Sequence, residues 1–589
     1  MASSKWREIF LILLLSFPFI FWGVGAVSLL DPDEGMYGAI AREMAEKGDW
    51  ITPHFDGVRY LEKPPLYFWL TALTISLVGP SEWAVRLWSA LPALGTALLI
   101  WRMGRLLYGG ASGLLSAIIL LTSVGVFRYT RVAATDSLLV FSLTLSLYGF
   151  ARIMLNQMRG AKSVWSGPLL FYLGMALGVL SKGLIGALFP LLIVGLYFWF
   201  SGERVSWNRI HFKWGLLLIV VLILPWHLLV AWKNPGFLQF YFVDNQFLRF
   251  LSDRAFIEDD VPVGSVAFLA LTFVWFFPWS LFLWGTWRHG FPNASSGQNP
   301  EERLHLLVGL WVTAVIGFFF LSPSRLEHYI LPALPPLSLV VGASWCDAFG
   351  EAKPRVSLKW PLVASAVGCG LTGIALILWA DRLTPNGVFS WLAELNVYYR
   401  ILKDQSAAFP FASVAPFVLL ARGLGVALAI GLPLALVLFL LRKPLASFLA
   451  VTGVAAGIAL LILRLLVVIE PHHSAKPVAL ALKARTQQGD LIVHEGSLEY
   501  SGSLPFYTGR QVHILNGQRG DLDFGSRYPE GQGLFLDDAE FTRLWEGGKR
   551  VFLVTREVGR EGALWKLSRQ PLYFLGRYGS RSLYSNHGP

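Results

Sequence analysis

Apolar runs of about twenty residues, parted by short polar loops, fill most of this chain up to residue 469. They fall at roughly 9–30, 82–101, 112–127, 134–151, 167–181, 183–200, 214–232, 264–284, 304–321, 330–346, 358–380, 412–441 and 445–469. A run of that length crosses a hydrocarbon core of about 30 Å as a helix. Inside lipid the backbone must satisfy its own hydrogen bonds, so a spanning run is read as helical. The pattern predicts an all-α polytopic membrane protein with about thirteen spans. Pro65 to Gly79 is apolar but short and opens on Pro64-Pro65, so it reads as a helix lying in the membrane interface.

At Glu470 the pattern changes. The rest of the chain, 470–589, is polar, with alternating strand-like pieces at Leu491–His494, Gln511–Leu515 and Val551–Thr555. A short helix is predicted from Asp538 to Trp545. Such alternation predicts a small α/β domain outside the membrane. The expected division is therefore a transmembrane domain, 1–469, with an acidic periplasmic loop at 31–80, and a soluble periplasmic domain, 470–589.

Lys5 and Arg7 precede the first run, which is longer than a signal-peptide core of about 7–15 residues. It reads as an uncleaved helix with a cytoplasmic N-terminus. The alternate loops then carry Arg102 and Arg105, then Arg152, Arg159 and Lys162, then Arg204, Arg209 and Lys213, and later Arg442 and Lys443. Cations on that side follow the positive-inside rule and put the acidic loop and the C-terminal domain on the outer face of the membrane, opposite the N-terminus.

Composition sharpens this. Of 589 residues, 54% are hydrophobic and 15% charged, against about 25% charged in a soluble protein. Mean hydropathy is +0.54. The 24 Trp and 42 Phe suit interfacial belts and a lipid-facing surface. The net charge of +11 is spread over short loops rather than gathered on one face. That argues against nucleic acid and for anionic lipid as its partner. Cys346 and Cys369 fall in or beside predicted spans and suggest neither a disulfide nor a metal pair.

The loop after the first span concentrates the chemistry. It holds Asp31, Asp33, Glu34, Glu43, Glu46, Asp49, Asp56 and Glu62 with Arg42, Lys47, Arg59 and Lys63. Paired carboxylates such as Asp33-Glu34 can act as a general base or as metal ligands, or can open a helix whose N-terminus favours negative charge. In Tyr60-Leu61-Glu62-Lys63-Pro64-Pro65 a lysine sits beside a stiff double proline, where its ammonium can grip a phosphate or anchor at the interface. Other loops on the same side carry Asp136 after Phe127-Arg128-Tyr129-Thr130-Arg131, Lys182, Arg249, and Arg325 with Tyr329. Singly each suits an interface anchor. Together they gather acids, cations and tyrosines where a lipid phosphate would lie.

Four stretches resemble one family. They are Asp33-Glu34, Gly48-Asp49-Trp50-Ile51-Thr52-Pro53, Tyr60–Trp69 and Ala84-Val85-Arg86-Leu87. With Tyr329-Ile330-Leu331-Pro332, they resemble the GT-C type polyprenyl-phosphate-dependent glycosyltransferases. The likeness is greatest to the aminoarabinose lipid A transferases, with the protein mannosyltransferases more distant. It implies an inverting transfer of a sugar from a polyprenyl phosphate to a lipid A-like glycolipid or another periplasmic acceptor, with no nucleotide cofactor. Carried over by position, Asp33 is the catalytic carboxylate and Lys63 holds the donor phosphate. Glu34, Tyr60, Asp136, Lys182, Arg249, Arg325 and Tyr329 contribute to substrate binding, and Glu62 is a candidate ligand for a divalent metal cation.

Two departures stand out. The lipid A enzymes have Asp-Glu-Thr-Arg-Tyr where this chain has Asp33-Glu34-Gly35-Met36-Tyr37, so a phosphate-binding arginine is missing. Arg59, Arg249 or Arg325 would have to replace it. They also have a Glu-His pair where this chain has Asp244-Asn245-Gln246, which removes a histidine ligand and weakens the case for zinc. The competing readings are a protein O-mannosyltransferase-like enzyme and a lipid or sugar flippase. A transporter places ionisable groups near the bilayer midplane; the predicted span interiors here hold almost none.

Overall fold

A computed structural model describes every residue except 1, 163, 204–207, 249–262, 292–299, 324, 351–356, 396, 405–407, 557–562, 564–570 and 589. Its first ten helices are α1 (Ala2–Ser16), α2 (Asp33–Lys47), α3 (Leu66–Val78), α4 (Glu82–Leu107), α5 (Ser112–Leu121), α6 (Val124–Tyr129), α7 (Asp136–Met158), α8 (Ser166–Lys182), α9 (Ile185–Ser201) and α10 (Phe212–Lys233).

Among the described residues eight helices are long and apolar enough to cross a membrane: α4, α7, α10, Glu302–Leu321, Glu327–Phe349, Lys359–Arg382, Ala415–Leu440 and Pro444–His473. The runs expected at 112–127, 183–200 and 264–284 instead hold shorter apolar helices, and so does the expected interfacial segment, at Leu66–Val78. Position in the bundle follows from burial. The apolar windows of α7 and Glu327–Phe349 are 83% and 89% buried, whereas those of α10, Ala415–Leu440 and Pro444–His473 are 22–28% buried. The first pair forms the centre, and the others turn apolar side chains outward, as a helix facing lipid does. Small residues let the central helices meet closely: a Cβ on Gly174 of α8 would lie 2.5 Å from the Ser142 carbonyl oxygen of α7.

The C-terminal part carries a six-stranded sheet. Its strands are β3 (Leu491–Glu495), β4 (His513–Leu515), β5 (Phe535–Leu536), β6 (Val551–Thr555), β7 (Tyr573–Tyr578) and β8 (Arg581–Ser585), in the order β5-β4-β3-β6-β8-β7. The first four in that order are parallel, and β8 and β7 are antiparallel additions. β6 is buried along its whole length, as a parallel strand covered on both faces must be. The helix Asp538–Glu546 starts on a capping box formed by Asp537 and Glu540.

The acidic loop and this sheet share one hydrophobic core. Leu29, Tyr37, Ile40, Phe55, Tyr60, Phe68 and Val85 pack in a single cluster with Leu482, Ile492, Phe506, Ile514 and Leu583. A two-stranded ribbon, β1 (His54–Phe55) with β2 (Val58–Arg59), closes the loop. Arg59 is held between the two parts: it bonds Asn234 at 2.9 Å and Glu530 at 2.7 Å and lies 4.0 Å above the Tyr528 ring.

Candidate active site

Pro64-Pro65 ends the loop and starts α3, which fixes Glu62 and Lys63 just ahead of a rigid helix. The backbone oxygen of Glu62 accepts a 2.7 Å bond from Asn245. Asn245 sits on a π-helical stretch, Gln239–Leu248, a geometry that often marks functional positions. Across from this corner Asp136 opens α7, Lys182 closes α8 and the 3₁₀ turn Glu327–Ala333 carries His328 and Tyr329.

These residues enclose one cleft. Glu62, Lys63, Asp136, Lys182, Asn245, Gln246 and Tyr329 line it, with Leu139, Ile185, Phe319 and Pro332 as its apolar walls, around roughly 590 Å³ of empty space. Lys182 bonds the Asp136 carboxylate and stands 5.0 Å from the Tyr329 ring centre. His328 approaches the other Asp136 oxygen at 3.8 Å. Lys63 is close enough to act on the same carboxylate. Two lysines and a histidine therefore surround one aspartate at the start of the central helix α7, beside a cleft with both polar and apolar walls.

Asp33 is the first residue of α2 and is half-buried. It does not line this cleft. Its charge and that of Glu62 both reach the buried Tyr60 hydroxyl; burial pushes that phenol well above its ordinary range, and Tyr37, Asp521, Glu62 and Asp33 add to the effect. The Tyr60 ring packs edge-on against Phe68, 6.0 Å between centres. Tyr60 thus lies within electrostatic reach of both Asp33 and Glu62.

Two expected substrate ligands are engaged elsewhere. Glu34 is 1% exposed, and its carboxylate receives Arg86 Nε at 2.7 Å, Arg86 Nη2 at 2.8 Å, Leu30 N at 2.9 Å and Ala133 N at 2.7 Å. Four donors saturate it, so it holds the loop to α4 rather than a substrate. Arg325 bonds the carbonyls of Val263 and Phe320 and the Ser265 hydroxyl, tying together two helix ends. Arg59, a proposed stand-in for the missing arginine, is committed to Asn234, Glu530 and Tyr528 as described above. Arg249 lies outside the described residues. His328, Asn245 and Gln246 join the cleft without having been expected there. The sequence assigns His328 no role, and Asn245 and Gln246 stand out there only as replacements for an absent Glu-His pair.

Several known proteins are similar to this chain. The family described as dolichyl-phosphate-mannose-protein mannosyltransferase matches residues 62–229, which include the Lys-Pro-Pro corner, α7 and α8. The undecaprenyl phosphate-alpha-4-amino-4-deoxy-L-arabinose arabinosyl transferase of Aeromonas hydrophila is 26% identical over 537 residues, covering 89% of this chain and 88% of its own. The protein of that description from Pseudomonas fluorescens is 30% identical over 358 residues, 60% of this chain and 62% of its own. Crystal structures of ArnT from Cupriavidus metallidurans cover all of both chains at a TM-score of 0.79, with 24% identity in the apo state and 23% when bound to undecaprenyl phosphate. The family match, the relatives and the shared fold together support a GT-C type membrane glycosyltransferase. Within that class the chain is ArnT-like along its whole length, and it is a multi-pass membrane protein.

Proposed function

We propose that this enzyme moves a sugar from a polyprenyl phosphate to a lipid A-like glycolipid at the periplasmic face of the inner membrane. The observation that carries the reading is the cleft that gathers Lys63 and Lys182 beside Asp136 and Tyr329 at the ends of apolar helices. A polyprenyl phosphate leaving group gains negative charge as its bond to the sugar breaks, and cations in a partly apolar cleft stabilise that charge far better than they would in water. Lys63 meets the phosphate. Lys182, oriented by Asp136, supplies the second cation, and Tyr329 closes the cleft over the donor. These take the place of the missing arginine. Asp33 takes the proton of an acceptor hydroxyl, or orients the acceptor where its nucleophile is already a phosphate oxygen. Attack from that side inverts the anomeric centre.

The donor set gives little support for a resident metal. Among the described residues no three His, Cys, Asp or Glu side chains come together as a ligand group, and Asp136 is bonded to Lys182. Glu62 contributes to the field around Tyr60. The relatives named for aminoarabinose transfer make a lipid-linked aminopentose the first donor to test. In this orientation the N-terminus is cytoplasmic and the sheet domain, packed on the acidic loop, is periplasmic.

The test is transfer by purified protein from an undecaprenyl-phosphate sugar to lipid A, read by mass spectrometry. A covalently modified lipid A supports the reading. Sugar appearing on a peptide acceptor instead would favour the mannosyltransferase-like alternative. Movement of the intact donor across a liposome membrane with no transfer would refute both.

A further inference from the structure

The first turn of α2, which begins at Asp33, is built against the C-terminal domain. Asp31 stands two residues earlier, and its carboxylate is filled entirely from that domain. Oδ1 accepts from Ser503 N at 2.7 Å, while Oδ2 accepts from Ser503 Oγ at 3.0 Å and from Arg581 Nη2 at 2.7 Å. The Asp31 amide donates to the His473 carbonyl at 2.6 Å. Arg581 is 0% exposed. Its remaining donors go to Ser501 Oγ at 2.8 Å, Ser474 O at 2.8 Å and Tyr500 O at 2.7 Å. Every polar atom of this junction is directed, so it has one geometry.

Glycines show how closely the two parts approach. A Cβ on Gly35 would lie 2.1 Å from Ser503 N and 2.4 Å from Asp31 Oδ1. A Cβ on Gly502 would lie 2.9 Å from both Met36 N and Pro32 O. The Gly502-Ser503 backbone is thus laid directly on the turn that presents Asp33. This contact leaves no room for a side chain at Gly35.

A buried ion pair is a weak way to glue two domains. Desolvation takes back most of the attraction, and apolar residues of equal volume hold as well. The shared hydrophobic core already joins these parts. What the pair adds is direction.

We propose that Arg581 and Ser503 are positioning residues for the transfer reaction: by clamping Asp31 they fix the depth and orientation of Asp33, so the C-terminal domain is part of the catalytic apparatus. The inference rests on the reading of Asp33 as the catalytic carboxylate. A misplacement of about 1 Å costs on the order of 100-fold in rate.

The experiment compares full-length R581M, R581K, S503A and G35A with wild type and D33N, using undecaprenyl-phosphate aminoarabinose and lipid A. R581M and G35A are expected to lower kcat about 100-fold with donor KM within about twofold. S503A, which removes one bond to Asp31, lowers kcat several-fold, and R581K recovers part of the R581M loss. Gel filtration and melting confirm that each variant is folded. If R581M fails to fold, S503A and R581K carry the test. Wild-type kcat in folded R581M or S503A overturns the proposal, as does a loss that appears wholly in KM. Wild-type activity in D33N overturns the underlying assignment of Asp33 instead, which separates the two failures.

Discussion

Glu34 gives the sharpest quantitative test, because its sequence position suggests substrate binding and its surroundings say otherwise. Arg86 is 1% exposed and donates to both Glu34 oxygens and to the carbonyls of Val24 at 2.7 Å, Val27 at 2.6 Å and Ser28 at 2.8 Å. Removing one partner of such a pair leaves an uncompensated buried charge and costs about 3–5 kcal/mol. For R86M, with three carbonyls also stripped of their donor, the upper end is expected. E34Q keeps the shape and one acceptor oxygen and should cost about 2–3 kcal/mol. One kcal/mol moves the melting temperature by about 2–4 °C in a domain of 150–250 residues, and by less in a longer chain. R86M should therefore melt roughly 5–10 °C below wild type. The assay is a thermal melt in detergent read by gel-filtration peak height, run on E34Q, R86M and the double variant. The double should lose less than the sum of the singles, since the pair is one unit. An E34Q protein with wild-type melting but a raised donor KM would refute the reasoning and return Glu34 to the substrate.

Other outcomes follow from the same geometry. D33N and K63A should each abolish transfer while eluting as folded protein; wild-type transfer by either would remove it from the mechanism. K182M should lower both activity and stability, because it leaves Asp136 buried without its cation, and the double variant D136N/K182M should regain stability but not activity, checked by melting and by lipid A modification. Burial raises the Asp31 carboxyl to about 7, against the opposing pull of Arg581, Ser503 and Arg556. A carboxyl raised in the folded state contributes stability that is full below its unfolded value near 4 and is lost as pH climbs to 7. Wild-type melting should then fall between pH 5 and pH 8 by more than that of D31N, and equal slopes would contradict the assignment.

Much of the architecture could be read from apolar run length, because the bilayer leaves only one solution for a spanning backbone. The strand at Val551–Thr555 and the helix at Asp538 were legible because each is set by residues close together in the chain. β7 and β8 were missed. They are the antiparallel additions, and β8 alternates buried and half-buried positions in a stretch with charged residues. The Lys-Pro-Pro corner was legible because proline stiffness and the lysine lie side by side in the chain. The fates of Glu34 and Arg325 were not, since each is decided by partners distant in sequence: Arg86 stands 52 positions from Glu34 and Val263 stands 62 from Arg325. The gap at the missing arginine was visible, but not its remedy, because Lys63, Lys182 and His328 converge only when three separate helix ends meet.

The common core of the acidic loop and the sheet domain bears on how such enzymes can be recombined. Leu29, Tyr37 and Phe68 from the N-terminal part pack in that core with Phe506, Ile514 and Leu583 from the sheet domain. A chimaera that exchanged only the residues after the last long helix would pair one half of a jigsaw with a stranger's other half. The sheet domain should therefore be exchangeable between relatives only as a two-piece cassette, with the first extramembrane loop travelling alongside it.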